Sequence, residues 1–237
     1  MNATLNRRSV LAFLALPLIP LAGCDVAGAA GMDRPGTAFV LPDPTVTSAR
    51  PAAPGNQTAV FAGGCFWGVQ AVFQRIKGVV SATSGYAGGA AKFADYRSVS
   101  TGSTGHAEAV QVVFDPVKIS FDKLLKVFMS VAHNPTQLNY QGPDHGTQYR
   151  SAIFTVDADQ QKVAKAYIDQ LNAAKAFPEP VVTQLTPLSA TPFYKAEDYH
   201  QDYLDKNPTQ PYIVMHDKPK LVALEKTFPA LYRPLKG

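Results

Sequence analysis

Cysteine is scarce in this chain. Its 237 residues hold two, Cys24 and Cys65, and one tryptophan, Trp67. Two thiols do not make a disulfide framework, and they lack the paired spacing of a zinc site. The five histidines are scattered and match no metal spacing either. Charge is thin as well: Asp, Glu, Lys and Arg make up 17% of the residues, with a formal net charge of +4. Residues 1–23 carry two arginines and no acid, so without them Lys+Arg falls from 22 to 20 against 18 Asp+Glu, a net +2. That near-balance argues against a nucleic-acid or polybasic membrane partner. Past Leu21 there is no second long apolar run, and no internal repeat is visible.

What is present at the N-terminus reads as an address. Arg7 and Arg8 precede an uncharged apolar run, Val10 to Leu21, which is short for a bilayer span and has the layout of an export signal. "NRRSVLAF" resembles a twin-arginine signal. "LAGC" at 21–24 resembles the lipobox of bacterial lipoproteins, in which the cysteine becomes the lipidated first residue; the triplet Ala27-Gly28-Ala29 offers an ordinary cleavage point instead. The expectation is an exported lipoprotein, anchored through Cys24 on the outer side of a bacterial inner membrane, facing the periplasm. Residues 1–23 are then the signal, 24–57 a Pro/Ala-rich tether of limited flexibility, and 58–237 one globular domain. Within the tether, "TAFVLP" has enough apolar character to dock onto the domain.

The domain reads as α+β. "TAVFAG" (58–63) suits a buried strand. Phe66, Val69, Val72, Phe73 and Ile76 then recur at helical spacing, with Gly78 as a C-cap. Residues 79–87 and 107–115 return to strand character. Residues 120–132 form an amphipathic helix behind Ser120, with Phe121, Leu124, Leu125, Phe128 and Ala132 inward. A strand at 151–157 precedes a helix at 158–174. The order β-α-β-β-α-β is the split βαβ, ferredoxin-like pattern in two layers. A strand at 181–186 and a helical stretch at 196–207 are added behind it. The long loops 88–106 and 133–149 are where functional groups tend to sit.

Cys65 falls where a strand turns into a helix, behind two glycines. Unpaired backbone N–H groups and the helix dipole at such a point favour a thiolate. Free cysteine is often simply buried, but an exported protein has little use for an idle thiol, so Cys65 is the candidate nucleophile. Glu108 shares a strand face with Val110, Val112 and Phe114. A carboxyl among apolar neighbours is desolvated, which raises its pKa and suits it to donate a proton; at the first residues of a strand it can instead lean into solvent. His106 and Glu108 spell H-x-E, but the P-C-x-x-C half of a zinc deaminase signature is missing. Phe66 and Trp67 are either core or the wall of a pocket for a methyl or thioether group. Tyr96 and Tyr149 are either surface residues or phenol donors to a substrate oxygen.

"GGCFWG", "DYRSVSTGSTGHAEAVQVVFDP", "HNPTQLNYQGPDHGTQYRSAI" and "FYKAEDYHQDYL" together resemble the type A methionine sulfoxide reductases, over roughly residues 58–210. The resemblance implies a ferredoxin-like α+β core and reduction of the S epimer of methionine sulfoxide, free or protein-bound. It implies Cys65 as nucleophile, Glu108 as proton donor, Tyr96 and Tyr149 on the sulfoxide oxygen, Asp144 in support, and Phe66 and Trp67 around the substrate methyl. It implies no cofactor and no metal. The chain departs from many members in lacking a cysteine in its C-terminal tail. That leaves an external thiol or a thioredoxin-like protein to reduce a Cys65 sulfenic acid, in an enzyme expected to be a monomer. The rival readings are a single-cysteine thiol peroxidase, a Cys–His hydrolase using His133 or His200, and a binding module gripping methionine through Phe66 and Trp67.

Overall fold

The computed structural model describes residue 1, residues 38–49 and residues 55–235. The twin-arginine-like stretch, the lipobox and Cys24 lie outside the described residues. The domain is built on a six-stranded sheet. Its first strand, β1 (Gln57–Gly63), feeds helix α1 (Phe66–Gln74), which returns to β2 (Val79–Ala87). A short helix, α2 (Tyr96–Val99), lies in the loop before β3 (Ala107–Phe114). Helix α3 (Phe121–Val127) continues into a π-helical turn, Phe128–Ala132. The hairpin β4 (Tyr140–Gln141) and β5 (Asp144–His145) precedes β6 (Ser151–Thr155) and the long helix α4 (Ala158–Ala173). Strands β7 (Gln184–Pro187) and β8 (Tyr194–Lys195), helix α5 (Tyr203–Lys206), a second π-helical turn (Ile213–Asp217) and α6 (Lys218–Thr227) follow. The strand order is β7-β6-β1-β3-β2-β8. Every neighbouring pair is antiparallel except β6 with β7. The class is α+β.

The apolar periodicities account for the layers. Phe66, Val69, Val72, Phe73 and Ile76 are all buried, as are Phe121, Leu124, Leu125, Phe128 and Ala132. Between the helix layer and the sheet, Phe61 stacks on Phe73 at 5.0 Å and on Phe128 at 4.8 Å between ring centroids. The other sheet face is lined by small residues, among them Ala62, Ala107, Ala109 and Ala152, under Leu188 and Phe193. Small side chains there let the 188–193 segment lie close.

Four local expectations are corrected. Helix α1 ends at Gln74, capped by Arg75, and Gly78 (φ +92°) serves the turn into β2 instead. Ser120 caps α3 by backbone position only, without a side-chain hydrogen bond. The strand expected at 181–186 is β7, shifted to 184–187. The helix expected over 196–207 is broken into a 3-10 turn, Asp198–His200, and α5. The break has a tertiary cause. The Gln201 side chain bonds Ser84 O at 3.0 Å, the Asp202 N–H donates to Gln70 Oε1 at 2.9 Å, and Asp202 takes a left-handed φ of +59°.

The segment 38–49 lies against the domain. Phe39 and Leu41 are buried in the main core, and the Phe39 ring meets Phe177 edge-on at 4.6 Å. Phe39 N–H donates to Ser130 O at 2.9 Å, and Ser48 N–H to Asp122 Oδ1 at 3.1 Å. Of the "TAFVLP" patch, residues 38–42 therefore dock, Thr37 lying outside the described residues.

Candidate active site

Cys65 is the N-cap of α1, at the end of the sheet where β1 stops. Gly64 makes the turn at φ +85°, and a Cβ there would stand 2.5 Å from the Gln141 side chain. Only glycine meets both demands. The turn brings the β4–β5 hairpin, which carries Gln141 and Asp144, onto the nucleophile candidate. Cys65 is nearly buried, 8% exposed. Burial, then the carboxyl groups of Glu108 and Asp217, push its thiol well above the ordinary range, with Asp144 adding in the same sense and only the Trp67 amide opposing. The resting group is a thiol. The expectation of a thiolate from the helix dipole is outweighed, because desolvation and like charge exceed the field of one helix end.

Glu108 answers the question left by its strand position. It is 3% exposed, so it does not lean into solvent. Its Oε2 accepts the Phe66 backbone N–H at 3.0 Å, beside Cys65. Burial raises its pKa to about 8, with Asp144 and Asp217 adding and the Phe66 hydrogen bond opposing. It is a neutral acid at pH 7.

Tyr96 and Tyr149 close on the same centre from two loops. Tyr96 opens α2, whose N-cap Asp95 accepts the Ser98 N–H at 3.0 Å, while the Tyr96 N–H donates to Glu197 Oε1 at 2.8 Å. Tyr149 ends a 3-10 turn directly before β6. Burial and then Glu108 raise both phenols, and both also feel Cys65 and Asp144. Both remain protonated donors. Asp144 accepts a hydrogen bond from the Tyr212 hydroxyl, and burial lifts its pKa above the usual carboxylate value.

The aromatic pair is divided in its burial. Phe66 is enclosed in the core, with its ring 4.9 Å from His200 and 5.8 Å from Tyr86. Trp67 is half-buried, stacked on Tyr203 at 3.8 Å and edge-on to Tyr212 at 6.0 Å. Its Nε1–H donates to His200 Nδ1 at 3.1 Å. His200 is thus spent on Trp67. His133 lies behind β1, bonded to Phe128 O at 3.1 Å and Ser151 Oγ at 2.6 Å, and burial lowers its pKa to about 3. Neither histidine forms a Cys–His pair.

Residues 57–231 match the model of a family described as peptide methionine sulfoxide reductase. The chain belongs to the peptide methionine sulfoxide reductase family. It is 59% identical over 181 residues to peptide methionine sulfoxide reductase MsrA 2 of Mesorhizobium japonicum, covering 76% of this chain and 92% of that one. To the MsrA 2 of Synechocystis it is 50% identical over 184 residues, 77% and 85% of the two chains. Among solved structures it is similar to methionine sulfoxide reductase A of Corynebacterium diphtheriae, with a TM-score of 0.58, 38% identity and coverage of 77% and 92%. Like its relatives, this reductase is an oxidoreductase acting on methionine sulfoxide. Cys65, Phe66, Trp67, Tyr96, Glu108, Asp144 and Tyr149 come together around α1's first turn. Sequence reasoning missed Tyr212, Asp217 and Glu197. The first two reach the reductase site from the C-terminal segment, about 150 residues from Cys65. The signal for Glu197 was the "AEDYH" stretch, read as helix and as part of the family motif without a role for its glutamate; its carboxylate accepts from the Tyr86 hydroxyl at 2.8 Å and from the Tyr96 amide.

Proposed function

We propose that this chain reduces the S epimer of methionine sulfoxide, protein-bound and free, with Cys65 as nucleophile. The observation that carries the reading is the neutral Glu108 carboxyl, buried beside Cys65 and fixed by the Phe66 N–H. A sulfoxide oxygen leaves only when protonated, so the reaction needs an acid and donors around that oxygen. The Cys65 sulfur attacks the sulfoxide sulfur while Glu108 gives its proton to the oxygen. Tyr96 and Tyr149 donate hydrogen bonds to that oxygen, Asp144 holds Tyr212, and Phe66 with Trp67 flank the methyl group. The proton released by the attacking thiol restores Glu108. The hydroxyl then passes from the methionine sulfur to the Cys65 sulfur as the bond between the two sulfurs breaks, so the thioether departs reduced by two electrons and Cys65 is left as the sulfenic acid. One external thiol attacks that sulfur, releasing water and forming a mixed disulfide; a second frees Cys65. The absence of a tail cysteine in the sequence supports a low-molecular-weight thiol or a thioredoxin-like protein as reductant.

The β6-β1-β3-β2 strands with their two crossing helices fit the ferredoxin-like arrangement. We further read the protein as an exported, monomeric lipoprotein that repairs oxidised methionine in exported proteins from the outer face of a bacterial inner membrane. Arg7-Arg8, the apolar run and "LAGC" support that placement, and among the described residues no helix is long and apolar enough to cross a membrane. Radiolabelled palmitate incorporated at Cys24 is the expected result for the anchor. The mechanism is tested in a single turnover without added thiol. One methionine per enzyme, with Cys65 captured by dimedone, is expected; Cys65 captured after peroxide but unchanged by sulfoxide would favour the thiol peroxidase.

A further inference from the structure

The C-terminal segment carries a buried carboxylate that the reaction above does not use. Asp217 ends the Ile213–Asp217 turn and is 0% exposed. Its Oδ1 accepts from Lys220 Nζ at 3.1 Å, while its Oδ2 is buried without a hydrogen-bond partner. A carboxylate oxygen left unsatisfied in the interior is costly, so its position calls for a reason. The pair is seated in a notch on α1. A Cβ on Gly68 would run into Asp217 Oδ1 and stand 2.9 Å from Lys220 Nζ. Gly68 is the third residue of α1, so the carboxylate lies against the first turn of the helix that Cys65 caps. That turn has no acidic residue of its own. The tail brings one to the positive end of the helix, where a thiolate would otherwise gather the benefit.

We propose that Asp217 is a positioning residue for the nucleophile, occupying the positive end of α1 so that Cys65 rests as a thiol in the empty site. This rests on Cys65 being the nucleophile. Asp217 acts with burial and Glu108 of β3 to raise the thiol, and Asp144 of β5 adds to them. Around Asp217 itself, burial raises the carboxyl above its ordinary value and Asp144 adds in the same sense. Lys220 of α6, by its charge and hydrogen bond, and then His216 oppose that rise and favour the carboxylate. The Tyr96, Tyr149 and Tyr212 phenols facing the thiol stay neutral. Thiolates, far more readily than thiols, attack the oxygen of peroxide and become sulfenic acid. A reductase with no second cysteine in its tail gains from a nucleophile that is quiet until its substrate arrives, because it cannot bury an oxidised Cys65 in an internal disulfide there.

The test is Asp217→Asn in the full-length protein. Iodoacetamide alkylation is followed at the Cys65 peptide by mass spectrometry across pH, beside the pH profile of kcat/KM. The alkylation midpoint is expected to fall by about one pH unit, and loss of the Cys65 thiol to peroxide at pH 7 to quicken close to tenfold. Gly68→Ala, which expels the same carboxylate sterically, is expected to shift the midpoint in the same direction and decides the matter where Asp217→Asn does not fold. An unchanged midpoint in a folded variant overturns the proposal. Because alkylation is read apart from turnover, that failure would leave the assignment of the nucleophile, tested by Cys65→Ser, standing.

Discussion

Glu108 sits among apolar residues, where ionisation is costly, and that cost is its use. With a pKa raised from 4.5 to about 8 by burial, it holds a transferable proton at pH 7. As pH rises through about 8 the acid form disappears, so the rate of sulfoxide reduction is expected to fall. Glu108→Gln keeps the shape and removes the proton; kcat should drop by about 10²–10⁴-fold, and the residual rate should lose that alkaline fall. In the proposed mechanism Tyr149→Phe removes one donor from the reacting oxygen, and it is expected to lower kcat by about 10² with KM little changed. Stopped-assay kinetics across pH check both. Glu108 was legible in sequence because strand parity aligned it with Val110, Val112 and Phe114. Tyr212 and Asp217 were not, because nothing local marks a residue that reaches a site about 150 positions away in the chain.

At the scale of elements, the helices with a strong apolar stripe were legible and those held by single polar anchors were not. Helix α1 and the α3 turn bury the stripe their spacing announces. Residues 198–206 instead follow Gln201 and Asp202, whose bonds to β2 and α1 outweigh helical propensity. Helix α6 buries only Ala223 and Leu224, too weak a pattern to stand out among its lysines. The docked 38–49 segment was half legible: its apolar residues were visible, the groove that takes them was not. Phe39→Ala is expected to destabilise the domain by about 3–5 kcal/mol, read by urea unfolding. An unchanged midpoint would mean that the segment only rests on the surface.

Across the whole molecule, two buried groups shape the pH dependence of stability. Glu108 binds its proton more tightly folded than unfolded, so its contribution is full below 4.5 and is lost as pH rises toward about 8. His133, lowered from 6.5 to about 3 by burial, contributes fully above 6.5 and loses that contribution as pH falls. Between 4.5 and 6.5 the two slopes cancel. From these groups, stability is expected to be level there and to fall on either side by about 1.4 kcal/mol per pH unit; Glu108→Gln should remove the alkaline decline. The central claim, that this fold gathers Cys65, Glu108 and two tyrosines into a stereospecific sulfoxide reductase, has a more direct test. Full-length protein is incubated with a racemic methionine-sulfoxide peptide and dithiothreitol, each epimer being followed by chiral chromatography, with Cys65→Ser alongside. Loss of the S epimer alone, abolished in Cys65→Ser, is the predicted result. Loss of both epimers, loss of neither, or loss that persists in Cys65→Ser would contradict it.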